Sequence, residues 1–328
     1  MTNPLKGRDF ITTQEWAVEE LEELFELAAE LKRAKKEGRP TPLLPAKTLY
    51  VIFFDASTRT RNSFETGITQ LGGHGIFLSP DKMQISHGEN ARDTANVLSR
   101  YGDAIAIRHC AHGEGNGYIR EVAEHASIPV ISMQCDVYHP CQVLADYLTI
   151  REQFGDTRGL KIGVAWTSAP NYVRPVSVPQ SLILLMPRFG LDVTLAYPPE
   201  FSLMPDIEEQ ARANAEAAGT SFEISHSFED AFTDADVVVP KSWGPLVTTQ
   251  NTDEGLRLIE KYPDWRCDRE RMALGKSHLV YMHPLPADRG REVTNEVIDG
   301  PQSVVYDQAE NRLHAQKSLM ALTMEERR

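Results

Sequence analysis

TLYVIFFDASTRTRNSFETG, residues 48–67, is the stretch on which the fold turns. Thr48–Phe54 is rich in β-branched and aromatic side chains, the composition of a buried strand. Hydroxyls and two arginines follow at Ser57, Thr58, Arg59, Thr60 and Arg61, and a helix is expected from near Asn62. A strand running directly into a helix is the unit of an α/β fold. It also suits an anion, because a helix start offers unpaired N–H groups and the positive end of a dipole. Guanidinium forks match phosphate oxygens. An N-cap with solvated arginines accounts for the same residues, so the motif alone leaves both readings open. It is not a nucleotide loop of the GxxxxGK[ST] kind, whose glycines and lysine are absent.

Outward from this stretch the pattern repeats. Short apolar runs at Ala104–Arg108, Pro129–Met133, Lys161–Trp166, Asp192–Tyr197, Val237–Pro240, Leu279–His283 and Ser303–Tyr306 alternate with helical patterns. This predicts two doubly wound parallel sheets, each covered by helices on both faces. Thr13–Glu37 reads as an amphipathic helix with Trp16, Leu21, Leu24, Phe25, Ala28 and Leu31 on one face. A helix from Gln142 to Phe154 is expected to bridge the halves, and the tail at Gln316–Glu326 to fold back across them. Ligands of such sheets bind beyond the carboxyl ends of the strands. There the sequence places Ser57–Arg61, Arg108, His139 and His283, which are expected to converge on one cleft.

Composition narrows the function. The 328 residues carry a net charge of −13, which disfavours a nucleic acid or anionic membrane partner. A phosphorylated substrate then requires a local arginine cluster. Cys110, Cys135, Cys141 and Cys267 form no CxxC pair, and no signal-peptide pattern opens the chain, so a cytoplasmic protein with reduced thiols is expected. No apolar run suits a membrane span. No metal-ligand spacing and no GxGxxG loop is present, so neither a metal nor a nucleotide cofactor is expected.

Two further clusters stand at expected strand ends: His139-Pro140-Cys141-Gln142 and Tyr281-Met282-His283-Pro284-Leu285-Pro286-Ala287-Asp288. Taken with FFDASTRTRNSFETG at 53–67, QISHGENARDTANVLSRYGDAIAIR at 84–108, HPCQVLADYLTI at 139–150 and ENRLHAQKSLM at 310–320, they resemble the aspartate/ornithine carbamoyltransferase family, in collinear order. The resemblance implies a carbamoyl-phosphate-binding domain over residues 1–150. It implies an amino-acceptor domain over 151–328, whose last helix crosses back to the first domain. Ser57, Thr58, Arg59 and Thr60 would hold the phosphate. Arg108, His139 and Thr60 would contact the carbonyl oxygen and serve as the catalytic group. Gln142 and the backbone at Pro284 and Leu285 would take the amide nitrogen, and Arg312 would close over the ligand. Gln84 would reach the phosphate of a neighbouring chain in a homotrimer with shared sites.

Within the family, VAWTSAPNYVRPVSVPQSLILLMPRFG and KSWGPL are similar to the knotted branch. That branch includes N-acetylornithine and N-succinylornithine carbamoyltransferases and YgeW-type proteins, and the likeness implies a trefoil knot in the second domain. Ornithine-reading elements are replaced here by Arg174–Ser181, by Lys241-Ser242-Trp243 and by His283-Pro284. Lys241, Ser242, Trp243, Arg174 and His283 therefore become the expected acceptor-binding residues, with Lys241, Arg174 and Arg289 suited to an acceptor anion. The expected activity is transfer of the carbamoyl group of carbamoyl phosphate to a small amino-acid-like amine. Ornithine or an N-acylornithine as acceptor, and a silent carbamoyl-phosphate-binding protein, are the alternatives. The group that deprotonates the amine is left open between solvent, phosphate and a base.

Overall fold

A computed structural model describes residues 4–170 and 174–324. The chain divides into two units, Met1–Ala145 with Glu310–Arg328, and Asp146–Ala309.

In the first unit the strands are β1 (Thr48–Phe53), β2 (His74–Leu78), β3 (Ala104–His109) and β4 (Val130–Cys135), in the order β2-β1-β3-β4, all parallel. The central strands β1 and β3 are almost wholly buried, which is why they read as continuous apolar runs. The helices are α1 (Val18–Lys36), α2 (Thr58–Gln70), α3 (Ala91–Leu98), α4 (Gly115–His125) and the start of α5 (Pro140–Phe154). Tyr50, Ile52, Ile105 and Ile107 pack with Ile119 and Val122 of α4 in one core.

The expected first helix begins later, at Val18, after a separate 3-10 turn over Thr13–Glu15. Trp16 lies between the two, buried, with its ring edge-on to Phe10 and its Nε1 donating to the Asp9 carbonyl. Its apolar contacts were legible, but its place on the helix was not.

In the second unit the strands are β5 (Lys161–Trp166), β6 (Asp192–Ala196), β7 (Phe222–Ser225), β8 (Val237–Lys241) and β9 (Val280–Tyr281), in the order β7-β6-β5-β8-β9, again all parallel. Its helices are α6 (Ser177–Leu185), α7 (Pro205–Ala218), α8 (Thr252–Glu260), α9 (Arg269–Met272) and α10 (Asn295–Ile298). A final helix, α11 (Val305–Met324), begins in this unit, and its residues from Glu310 onward belong to the first. Close packing there depends on a glycine: a Cβ at Gly67 in α2 would stand 2.9 Å from Met320 Cε of α11.

The second sheet has the expected five strands with one member exchanged. Ser303–Tyr306 is not a strand. Tyr281 N–H donates to the Gln302 carbonyl and Val304 N–H to the Tyr281 carbonyl, giving one bridge at Ser303 before α11 starts at Val305. The fifth strand is β7 at the edge, four residues long and partly exposed, too short and polar to show a strand period. The proline-rich loop of the expected knot includes residues 171–173, which lie outside the described residues. Among the described residues no helix is long and apolar enough to cross a membrane.

Candidate active site

The helix after β1 starts at Thr58, four positions earlier than the sequence suggested. Ser57 is its N-cap, and Ser57 Oγ accepts from the Thr60 N–H at 3.3 Å. Thr58, Arg59 and Thr60 therefore form the first turn itself, where the N–H groups lack helical partners.

The motif's two arginines part company. Arg61 is exposed, bonded to Glu65 at 2.9 Å and lying 3.6 Å from the Phe77 ring centroid. With Ser57, Thr58, Asn62 and Ser79 these residues border a cavity of about 520 Å³. Arg59 is half-buried, and its pKa is lowered by burial and then by the charge of Arg108. Two guanidinium groups are thus close enough to repel each other, an arrangement that an anion relieves.

Arg108 is the last residue but one of β3, within the ladder at the carboxyl end of the sheet, opposite Phe53 and Gln134. Its Nη1 donates to Gln134 Oε1 on β4, while its Nε is enclosed without a hydrogen-bond partner among the described residues. Arg312 of α11 is buried. Its Nη1 donates to Gln142 Oε1 at 2.6 Å and its Nη2 to Thr60 Oγ1 at 2.8 Å. Because Thr60 Oγ1 accepts there, its own proton remains available to a ligand.

His139 directly precedes Pro140, the first residue of α5, and its carbonyl accepts from the Gln142 and Val143 N–H groups. Burial first, then the charges of Arg312, Arg108 and Arg59, hold the His139 pKa well below the usual histidine value, so the ring is neutral at pH 7. Ser57, Thr58, Arg59, Thr60, Arg108, His139, Gln142 and Arg312 are thus assembled within one unit. Gln84 stands apart, exposed on a 3-10 turn over Gln84–His87 between β2 and α3. Gln134 was missed in the sequence, where a lone amide in an apolar strand is a weak signal.

In the second unit the centre is Glu292, which the sequence reading also missed. Its side chain is fully buried. Glu292 Oε1 accepts from Ser242 N at 2.7 Å, Ser242 Oγ at 2.6 Å and Lys241 Nζ at 3.4 Å, and lies 3.3 Å from His283 Nε2. Its Oε2 accepts from Asp288 N at 2.7 Å and Arg174 Nη1 at 3.4 Å. Burial alone would raise its pKa, but Lys241, His283 and Ser242 more than reverse this and hold the carboxyl far below the usual range.

The cations expected to await an acceptor anion are therefore already paired. Lys241 donates to the Ser242 carbonyl at 2.8 Å and Ser242 Oγ at 3.2 Å as well as to Glu292. Arg174 also donates to Asp288, and Arg289 pairs with Asp299 at the surface. Trp243 is buried, and its Nε1 donates to the Phe201 carbonyl at 2.8 Å. His283 Nδ1 accepts from Leu285 N at 2.9 Å, which leaves its proton on Nε2, facing Glu292. Leu285 sits at φ +53°, a left-handed backbone costing a non-glycine residue about 1–2 kcal/mol. Such outliers gather at functional turns.

Two parallel α/β units, with Arg59 at a helix start and an enclosed Arg108 guanidinium, put the chain in the α/β class with a site suited to an anion. The comparisons specify the class. Residues 8–152 match the aspartate/ornithine carbamoyltransferase carbamoyl-P binding domain, and residues 174–323 match the Asp/Orn binding domain of the same family. This chain belongs to the aspartate/ornithine carbamoyltransferase family. An ornithine carbamoyltransferase of Halalkalibacterium halodurans is 42% identical over 96% of this chain and 95% of its own. The Escherichia coli K12 protein named "putative carbamoyltransferase YgeW" is 38% identical over 94% of this chain and 88% of its own. A solved acetylornithine transcarbamylase complexed with acetylcitrulline superposes with a TM-score of 0.90 at 34% identity, covering 97% of this chain and 99% of that one.

Proposed function

We propose that this carbamoyltransferase moves the carbamoyl group of carbamoyl phosphate to the amine of a small amino-acid-like acceptor and releases phosphate. The observation that carries the reading is the convergence of Arg59, Arg108 and Arg312 on a buried, neutral His139 beside the N-terminus of α2. In this reading Ser57, Thr58, Arg59 and Thr60 take the phosphate. Arg108 and Thr60, with His139 beside them, surround the carbonyl oxygen, and Gln142 takes the amide nitrogen. The amine attacks the carbamoyl carbon, charge gathers on the oxygen, the C–O bond to phosphate breaks, and one amine proton is lost. Phosphate leaves as the dianion by taking up the proton the amine sheds, directly or through solvent, and Arg59 and the helix start hold it, so no protonated side chain is needed. In the second unit, the His283–Leu285 turn and the Glu292 cluster are assigned to the acceptor half of the reaction.

Incubation with carbamoyl phosphate and a panel of amino acids, diamines and N-acylated diamino acids tests this, with phosphate release as the readout. An acceptor-dependent release is expected. Ornithine should run roughly tenfold or more below the best acceptor, because the positions that would read it hold Lys241 and Pro284. Efficient citrulline formation would return the chain to the ornithine branch. Thermal stabilisation by carbamoyl phosphate with no turnover of any amine would favour the silent binding protein.

We also propose a homotrimer in which Gln84 of one chain completes the Arg59 site of the next. A closed three-fold ring joins different patches of each chain, so sites built from two chains are natural. Arg59→Ala and Gln84→Ala should each be impaired, and mixing the two after subunit exchange should restore activity above either parent. Two impaired variants that exchange subunits and recover nothing would rule out the shared site, as would a monomer in sedimentation.

A further inference from the structure

The β3–β4 ladder contains one irregularity, at the residues that matter most. Ile107 pairs with Ser132, but Arg108 pairs with Gln134, so Met133 is an extra residue in β4. A bulge of this kind re-aims side chains and leaves one residue out of the ladder, and bulges gather beside active sites. It has two local results. Gln134 is brought opposite Arg108, and its buried Oε1 accepts from Arg108 Nη1. Met133, freed of a β3 partner, offers its backbone to a hydrogen bond with the His139 ring.

We propose that the Met133 bulge positions the catalytic pair, with Gln134 as the positioning residue for Arg108 and the Met133 carbonyl as the group that fixes the His139 tautomer. This rests on the functional reading above, which sets Arg108 and His139 beside the carbamoyl carbon. Gln134 is not a substrate contact. Its oxygen occupies one Nη and thereby fixes the plane of the guanidinium, so that the enclosed Nε stays free for a ligand. For His139 the consequence is one fixed tautomer: a neutral imidazole has one N–H, and a carbonyl held at the bulge decides which ring nitrogen carries it.

The test uses the full chain with Gln134→Leu, Gln134→Glu and a deletion of Met133. Gln134→Leu is expected to lower kcat about 10²-fold, the cost of misplacing a catalytic group, while its dissociation constant for inorganic phosphate stays within about threefold. Gln134→Glu keeps an oxygen for Nη1 and should recover about tenfold or more of the loss. Unchanged kcat in the leucine variant overturns the proposal. So does a matching loss of phosphate affinity, or a glutamate variant no better than leucine. The tautomer is read separately by long-range proton–nitrogen NMR, with His139→Gln for assignment. A single neutral tautomer is expected in the parent and a mixture in the deletion variant; a mixture or a charged ring in the parent at pH 7 refutes the carbonyl's role. If the parent protein transfers no carbamoyl group to any amine, the functional reading fails, and the NMR experiment still decides the bulge.

Discussion

Arg108→Met should turn over about 10² to 10³ times more slowly than the parent enzyme, the usual cost of removing one oxyanion donor. The expectation follows from where the group sits and how it is spent. Arg108 is the last residue but one of β3, gives Nη1 to Gln134 and keeps an enclosed Nε with no partner among the described residues. A buried donor without a partner costs stability, and such groups persist where a ligand supplies the partner. The loss should fall on kcat, because charge on the carbonyl oxygen grows only as the amine attacks. Arg59→Met provides the contrast. Its guanidinium belongs to the first turn of α2, so its loss should appear mainly as weaker phosphate binding. Arg108→Lys should not rescue, since an ammonium cannot hold Gln134 and the ligand in one plane. Steady-state kinetics with a phosphate dissociation constant for each variant separates the two arginines. An Arg108→Met enzyme impaired only in phosphate affinity would move Arg108 into the phosphate site.

Glu292→Ala should cost about 3–5 kcal/mol, the penalty for stranding buried charge. For a unit of this size that is roughly a 10 °C fall in the thermal midpoint. The carboxylate accepts from Ser242, Lys241, Arg174 and the Asp288 backbone, so removing it leaves an ammonium and part of a guanidinium uncompensated. Glu292→Gln keeps the shape and loses the charge, and should still be clearly destabilised. The double variant Lys241→Met with Glu292→Leu should be less damaging than the sum of its parts, since a buried pair removed together leaves less stranded. Acid should spare this cluster. The folded-state pKa lies below the unfolded one, so the stability Glu292 contributes is complete above about 4.5 and fades only as pH falls through the depressed value. Thermal melts of the three variants decide the matter. A Glu292→Ala protein melting within a degree of the parent would mean that the charges find water once the carboxylate is gone.

Legibility followed burial and period. β1, β3, β5, β6 and β8 were readable because they lie within their sheets and are apolar along nearly their whole length. β7 was not, being a short edge strand, and Ser303–Tyr306 was misread because β-branched Val304 and Val305 carry strand propensity that a helix nucleus overrode. In the first unit, Ser57–Thr60, Arg108, His139, Gln142 and Arg312 were all named from sequence, since they fall at strand ends and helix starts or in motifs with a family likeness. Gln134 escaped because a bulge has no signature in a single sequence. The second unit was harder for an electrostatic reason. Lys241, Arg174 and Arg289 read as available cations, yet Glu292, Asp288 and Asp299 neutralise them through contacts that residue spacing does not reveal.

The four thiols have a practical meaning. Cys135, Cys141 and Cys267 are buried and Cys110 is half-covered; burial pushes Cys110, Cys135 and Cys141 up to about 12, and Cys267 well above its ordinary value. Few such groups are thiolate at pH 8, the form that attacks alkylating reagents. The native chain is therefore expected to react slowly with maleimides. A cysteine placed on the exposed turn at Gln84 would then be the one reactive position, and a fluorophore there would report ligand arrival without a cysteine-free background having to be built first.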